Sequence, residues 1–253
     1  MTISTDPDFE GWLNLSRDPA HDGLYFLGPR QSRITFYTQQ VRALQLVHAL
    51  SRSGRLAPNE RVAVVGAGAG GVTAAMAFAL AGAQVTLYDP AGDILQLQSA
   101  SPRLLHPHIY EWPAMGSLDD QAGLPILDWM AGSAGDVAAS LTTAFKAASA
   151  HFGSRLHFQP GHKLNIAKPS GAGWRLMFEG VADPKIVSKA VLALGFGKED
   201  VYSAAEAQAY WKGGGVEAAS IEPVADARCF ECIRNRRLVT GHDAQGYAHV
   251  ADA

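Results

Sequence analysis

Cysteine is nearly absent: of 253 residues, only Cys229 and Cys232 carry a thiol. Two cysteines cannot build a disulfide framework, so the fold must rest on a packed core. An excess of charge of one sign is missing too. Lys and Arg number 21 against 24 Asp and Glu, for a formal net charge of −3. The densest basic grouping is Arg234, Arg236 and Arg237, which offers too few phosphate contacts for a sequence-independent nucleic-acid binder. No nucleic-acid partner is expected. Long apolar runs are lacking as well. Val62 to Tyr88 is rich in apolar and small residues, but Gly66, Gly68, Gly70, Gly71 and Gly82 interrupt it. It reads as two strands and a helix, not as a membrane span, and no membrane partner is expected. Met1 to Glu10 is acidic and holds no apolar stretch of the kind a secretory leader needs. A cytoplasmic, reducing location is therefore expected. The chain has no G-x-S-x-G, no H-E-x-x-H and no P-loop pattern, so serine-hydrolase, zinc-protease and P-loop chemistry have no support.

What is present is globular: 47% of residues are hydrophobic and 18% charged. The length suits one large domain or two small ones. Met1 to Gln31 reads as irregular, with Pro7, Pro19 and Pro29. Tyr37, Val41, Leu44 and Val47 recur at helical spacing up to Gly54. Arg61 to Val65 is a β-branched run that predicts a buried strand; Val72 to Ala81 predicts a helix closed by Gly82. Gln84 to Tyr88 predicts a second parallel strand, ended by Asp89.

Residues 93–135 show weak periodicity and four prolines, a pattern often functional inside a compact domain. Asp136 is expected to cap a helix whose stripe is Leu141, Phe145, Ala148 and Phe152, stopped by Gly153. Strand signals follow at Leu156–Phe158, Lys163–Ala167 and Trp174–Phe178, and Ala190 to Gly195 predicts a buried parallel strand. Tyr202 to Lys212 suits a helix and Leu238–Thr240 a short strand. The expected fold class is α/β: a Rossmann-like parallel sheet with helices on both faces and a small antiparallel β insertion. The expected organisation is a segment 1–60 packing on the core, a dinucleotide-binding domain 61–200, and a tail 201–253 that completes or extends it.

The strongest signal is Gly66-Ala-Gly68-Ala-Gly70-Gly71. It follows a strand, opens a helix and precedes a second strand ending in an acid, which is the context a dinucleotide fingerprint requires. Gly66 permits the tight turn, Gly68 lets the backbone approach a pyrophosphate, and Gly71 allows close helix–strand packing. The helix N-terminus then presents unpaired N–H groups and the positive dipole end to the phosphates. Asp89 is placed to accept hydrogen bonds from an adenosine ribose. Its carboxylate repels a 2′-phosphate and no Arg follows it, which disfavours NADP.

With Ala75 four residues past Gly71, and Gly82 after the helix, the pattern lengthens to G-x-G-x-x-G-x-x-x-A-x-x-x-x-x-x-G. This resembles the FAD/NAD(P)-binding flavoprotein oxidoreductases of the glutathione-reductase type, over residues 34–197. Ala193-Leu194-Gly195 stands where that superfamily has an Ala-Thr-Gly-like strand end, with Leu in place of Thr. Gly241-His242-Asp243 is a distorted form of its late Gly-Asp motif. By resemblance, Gly195 and Asp243 join the cofactor-binding set. About sixty residues precede the fingerprint where such proteins usually have few. Gly213-Gly-Gly215 follows no strand, so no second dinucleotide fold is expected, and the chain reads as a shortened member. The Val191–Gly195 strand and the β-rich middle favour FAD; NAD is the alternative, because both share the ADP moiety.

Between Ser101 and Pro113 the chain gathers Arg103, His106, His108, Tyr110, Glu111 and Trp112 among prolines. Arg103, His106, His108 and Tyr110 are the candidate catalytic residues. Histidine suits proton transfer near neutral pH, and Arg suits a carboxylate or phosphate. A rigid surface loop with packed aromatics explains the same residues. Cys229-Phe-Glu-Cys232 admits a redox pair, a zinc site with His242 and His249, or two unreactive thiols. No metal site is expected. The resulting functional reading is an FAD-binding oxidoreductase acting on a small molecule, with an NAD-dependent dehydrogenase or a catalytically degenerate dinucleotide-binding module as alternatives. A homo-oligomer or a partner chain completing the site is left open.

Overall fold

A computed structural model describes residues 9–28, 34–110, 118–194, 240–242 and 248–250. In chain order the elements are α1 (Phe9–Ser16), β1 (Leu24–Phe26), α2 (Phe36–Arg52), β2 (Arg61–Val65), α3 (Ala69–Leu80) and β3 (Gln84–Asp89). Then come α4 (Gln96–Ser99), β4 (Leu104–Leu105), β5 (Gly132–Ser133), α5 (Ala134–Phe152) and β6 (Leu156–Pro160). The last are β7 (Leu164–Ser170), β8 (Gly173–Phe178), β9 (Lys185–Val187), β10 (Lys189–Leu192), β11 (Thr240–His242) and β12 (Ala248–Val250).

Five strands form one parallel sheet in the order β1-β10-β2-β3-β6. Side chains alternate across it, as the pleat requires. Val62, Val64, Val85, Leu87, Leu156 and Val191 point into one core with residues of α2, α3 and α5. Ala63, Val65, Tyr88, Ala190 and Leu192 point into a second core with Trp174, Leu176 and Phe178 of β8. The expected parallel sheet, helices and antiparallel insertion are all present. On the second face the insertion, the sheet β7-β8-β9, takes the place of a second helical layer among the described residues.

α3 is apolar all round because it is enclosed by the sheet, α2 and α5. Gly82 follows it at φ +94° and reverses the chain into β3. α2 and α3 run in the same direction. Their first turns meet at Gln39 and Gly70, and Asn59, shortly after α2, donates to the Gly82 carbonyl just past α3.

Two expectations are corrected. The stretch read as irregular before Gln31 contains α1, which packs on α2, and β1, the edge strand beside β10. A three-residue strand is too short to show a period. The cap of α5 is Ser133, not Asp136: the Ser133 hydroxyl accepts the Asp136 N–H, and Asp136 sits inside the first turn. The strand expected at Leu156–Phe158 is present as β6, the outer strand of the parallel sheet. β11 and β12 pair antiparallel with each other. The expected helix at Tyr202–Lys212, Gly195, Asp243, Cys229 and Cys232 lie outside the described residues.

Candidate functional site

The glycine turn connects β2 to α3 at the carboxyl edge of the sheet. Gly66 has φ +105°, and a Cβ there would overlap the Ala193 carbonyl at the end of β10. A Cβ on Gly71 would overlap the Gly66 carbonyl, so the helix can sit against the strand only without one. Gly68 is different: nothing lies within 4 Å of its missing side chain. It borders open space, the side on which a ligand could approach the backbone. Gly70 faces inward, in ordinary contact with Gln39 at 3.5 Å and beyond.

Gly68 is also the N-cap of α3, and it provides no side-chain acceptor for the first N–H groups. In α2 the corresponding donors are met by a capping box between Thr35 and Thr38, and in α5 by Ser133. The first turn of α3 therefore keeps its donors and its positive dipole end for another acceptor. These features fit a dinucleotide pyrophosphate at Gly68 and Ala69.

Asp89 ends β3. Its Oδ2 accepts the Ala67 N–H at 2.6 Å, and its Oδ1 accepts the Ala91 N–H at 2.7 Å. The carboxylate thus ties the glycine turn to the loop after β3. It has about four lone-pair sites, so two accepted bonds leave capacity for ribose hydroxyls. The same loop is tied back by Leu95, which donates to the Ala67 carbonyl at 2.8 Å and holds φ +54°.

The histidine loop and the glycine turn each contact the first turn of α2, through different side chains. Tyr37 and Gln39 stand two residues apart on its first turn; Tyr37 packs edge-on to His108, with ring centroids 5.3 Å apart, and Gln39 touches Gly70. The His108 N–H donates to His106 Nδ1 at 3.1 Å. That bond makes Nδ1 the acceptor and puts the proton of neutral His106 on Nε2, which faces Asp120 Oδ1 at 3.7 Å. His108 Nε2 donates to the Gln121 carbonyl at 3.0 Å. Arg103 and Tyr110 are exposed and, among the described residues, share no hydrogen bond or ion pair with the histidines. The Arg103 backbone carbonyl accepts the Ala134 N–H, anchoring the loop to α5.

Sequence reasoning missed Gln40, which is fully buried on α2. It donates to the Leu127 carbonyl at 3.0 Å and accepts from Trp129 Nε1 at 2.7 Å, fastening residues 118–130 to the helix. A polar residue at an inward helical position was the only signal for it. A separate open cleft of about 420 Å³ lies between α5 and β6, lined by Asp93, Ile94, Lys146, Ser149, His157 and Phe158. No residue of the glycine turn lines it.

No group of His, Cys, Asp and Glu among the described residues could hold a metal ion. No helix among them is long and apolar enough to cross a membrane.

Parts of the chain are similar to several solved proteins at low identity. The NADH-bound water-forming NADH oxidase from Lactobacillus brevis is 14% identical with a TM-score of 0.38, covering 69% of this chain and 26% of that one. A ferredoxin reductase from Rhodopseudomonas palustris is 14% identical with a TM-score of 0.35, covering 59% and 27%. The HOCl-induced flavoprotein disulfide reductase RclA from Escherichia coli is 15% identical with a TM-score of 0.32, covering 54% and 21%. The chain thus spans between a fifth and three tenths of the length of these three proteins. No curated protein matches it in sequence.

The family model for FAD dependent oxidoreductases matches residues 61–230, more than half of the chain, and begins at the first residue of β2. Of the two dinucleotides that the glycine fingerprint leaves open, this match selects FAD. With a pyrophosphate-compatible turn between two parallel strands and an acid closing the second, the chain belongs to the FAD-dependent oxidoreductase family.

Proposed function

We propose that the chain holds FAD along the carboxyl edge of its parallel sheet and oxidises or reduces a small molecule there. The observation that carries the reading is the contrast among the glycines. Gly66 and Gly71 are enclosed by backbone, whereas Gly68 faces open space at the uncapped start of α3. Bound FAD would supply the hydride or electron transfer, and the protein its binding and orientation.

The chain's own residues bind and orient it. Gly68, Gly70 and the first N–H groups of α3 would take the pyrophosphate, while Gly66 and Gly71 shape the turn. Asp89 would take the adenosine ribose. Gly195 and Asp243 remain proposed cofactor contacts on the strength of the resemblance alone. His106 carries its proton on Nε2, beside Asp120, and would exchange it with the substrate as hydride moves; His108 orients His106 through its backbone N–H. Arg103 and Tyr110, exposed on the same loop, would meet the substrate. A second copy or a partner chain would complete the substrate side.

The test is the visible spectrum of the purified protein, with identification of the nucleotide released on denaturation. Flavin bands with FAD released support the reading. A colourless protein that takes up no FAD on reconstitution overturns it.

A further inference from the structure

The glycine turn has no cation of its own. From Val62 to Pro102 the sequence holds neither Lys nor Arg. The charge bonded to the turn is the carboxylate of Asp89, through Ala67. A pyrophosphate there would gain backbone donors and a helix dipole, yet it would lie beside an anion.

α2 carries what the turn lacks. Gln39 packs on Gly70, its Oε1 3.7 Å and its Cβ 3.7 Å from where a Gly70 side chain would begin. Its Nε2 is buried without a hydrogen-bond partner, and so is Nη1 of Arg42. Arg42 joins none of the ion pairs among the described residues. Burial pushes its guanidinium below the ordinary range, with no carboxylate to offset it. Buried donors of this kind are rare in native structures and call for an acceptor.

The geometry indicates where that acceptor lies. Residues three apart share one face of a helix, so Arg42 stands one turn beyond Gln39. Helical side chains lean toward the N-terminus, and the N-terminus of α2 is the end that meets the glycine turn. On α3, Thr73 stands one turn beyond Gly70; it too is fully buried with an unpartnered hydroxyl. Gln39 thus meets α3 at Gly70, and the two other unsatisfied polar groups, Arg42 on α2 and Thr73 on α3, stand one turn beyond that contact, each on its own helix.

We propose that Gln39 and Arg42 form a phosphate-binding arm, donated by the helix that precedes the fingerprint, in which Arg42 supplies the counter-charge to the cofactor pyrophosphate and Gln39 Nε2 an added hydrogen bond. This rests on reading the turn as the FAD site. It assigns to the segment before β2 a direct part in binding.

The experiment is titration of the FAD-free full chain with FAD, followed by flavin fluorescence, alongside riboflavin, which has no phosphate. Arg42→Met should weaken FAD binding roughly 10- to 100-fold, the size of a charge-assisted hydrogen bond. Riboflavin binding should be unchanged, and the dependence of FAD affinity on salt should flatten. Arg42→Lys should recover part of the loss, Gln39→Leu should show a smaller one, and Arg52→Met, at the exposed far end of α2, should show none. The melting temperature of FAD-free Arg42→Met should equal or exceed that of the parent, because a half-buried cation with no ion-pair partner among the described residues has been removed. Unchanged FAD affinity in Arg42→Met overturns the inference. So does a lowered melting temperature with equal losses for FAD and riboflavin, which would mark a structural residue. A parent chain that binds neither FAD nor ADP-ribose overturns the reading of the turn itself, and the arm with it.

Discussion

Asp89 Oδ2 accepts the backbone N–H of Ala67 at 2.6 Å, so the acid that closes β3 also fixes the shape of the turn that closes β2. A residue read from sequence as a ribose ligand is therefore also a brace. Asp89→Ala should lower stability by roughly 1–3 kcal/mol, the cost of leaving a partly buried N–H without its charged acceptor. It should also weaken FAD binding more than tenfold. Urea denaturation of the FAD-free protein measures the first effect and flavin titration the second. A loss of affinity with no loss of stability would leave only the ribose role.

The glycines of the turn should separate into two kinds on substitution. Gly68→Val adds a side chain into open space, so the protein should fold, losing no more than about 1 kcal/mol to the poorer N-cap, while retaining no FAD. Gly71→Ala drives a methyl into the Gly66 carbonyl. The methyl meets backbone, which cannot swing aside as a side chain would, and the change should cost several kcal/mol, at the upper end of single-substitution effects. Circular-dichroism melts beside flavin content distinguish the two. A Gly68→Val protein with full flavin content would sink the placement of the pyrophosphate.

Gln40 is predicted to matter as much as any apolar core residue. Gln40→Ala strands both the Leu127 carbonyl and Trp129 Nε1, and should destabilise by roughly 2–4 kcal/mol. Leu127 has φ +50°, a conformation uncommon outside glycine. Releasing its carbonyl should free residues 118–130 first. Limited proteolysis should then cut this segment earlier than in the parent, and a parent-like digestion pattern would count against the brace.

How much of this was readable beforehand follows from periodicity. The α2 stripe, the β2 run, the glycine turn and the alternation around Trp174 each repeat over enough residues to declare themselves. Their positions in the structure match to within a few residues. Asp89 was legible because the acid lies at a fixed distance past the turn. β1 was not: three residues between Gly23 and Gly28 carry no pattern, and only pairing with β10 makes them a strand. β9 is equally short. Gln39, Gln40 and Arg42 looked like ordinary polar positions on a helix, because sequence does not show which helical faces meet a neighbour. His106 and His108 were legible as a pair, but their tautomers follow from the His108 N–H and the Gln121 carbonyl, which only the fold brings to them.

Tyr25 gives a test at alkaline pH. Burial in β1, aided by the Asp22 carboxylate, pushes its phenol up to about 12 from 10.0. A phenol whose folded-state pKa lies above its unfolded value adds stability below pH 10 and loses it as pH rises through 12. Stability should thus fall by about 2 kcal/mol across that window from this group alone. Tyr25→Phe should match the parent at pH 7 and lose less stability between pH 10 and 12, as read by urea midpoints at each pH. Parallel curves for the two proteins would show that the Tyr25 hydroxyl does not titrate differently on folding.

The order β1-β10-β2 has a consequence for how the chain is born. β10 lies between two strands that leave the ribosome some 125 residues or more ahead of it. Until Leu192 emerges, β1 lacks its strand partner in the sheet and β2 keeps one edge open. Open edges are sites of mispairing, and contacts so distant in sequence form slowly. β1, whose strand partner in the sheet is β10, can join only once that strand is made, and the same strand leads into the Ala193 carbonyl that packs against Gly66. The nascent chain acquires this wall of its glycine turn only when the last strand of the sheet emerges.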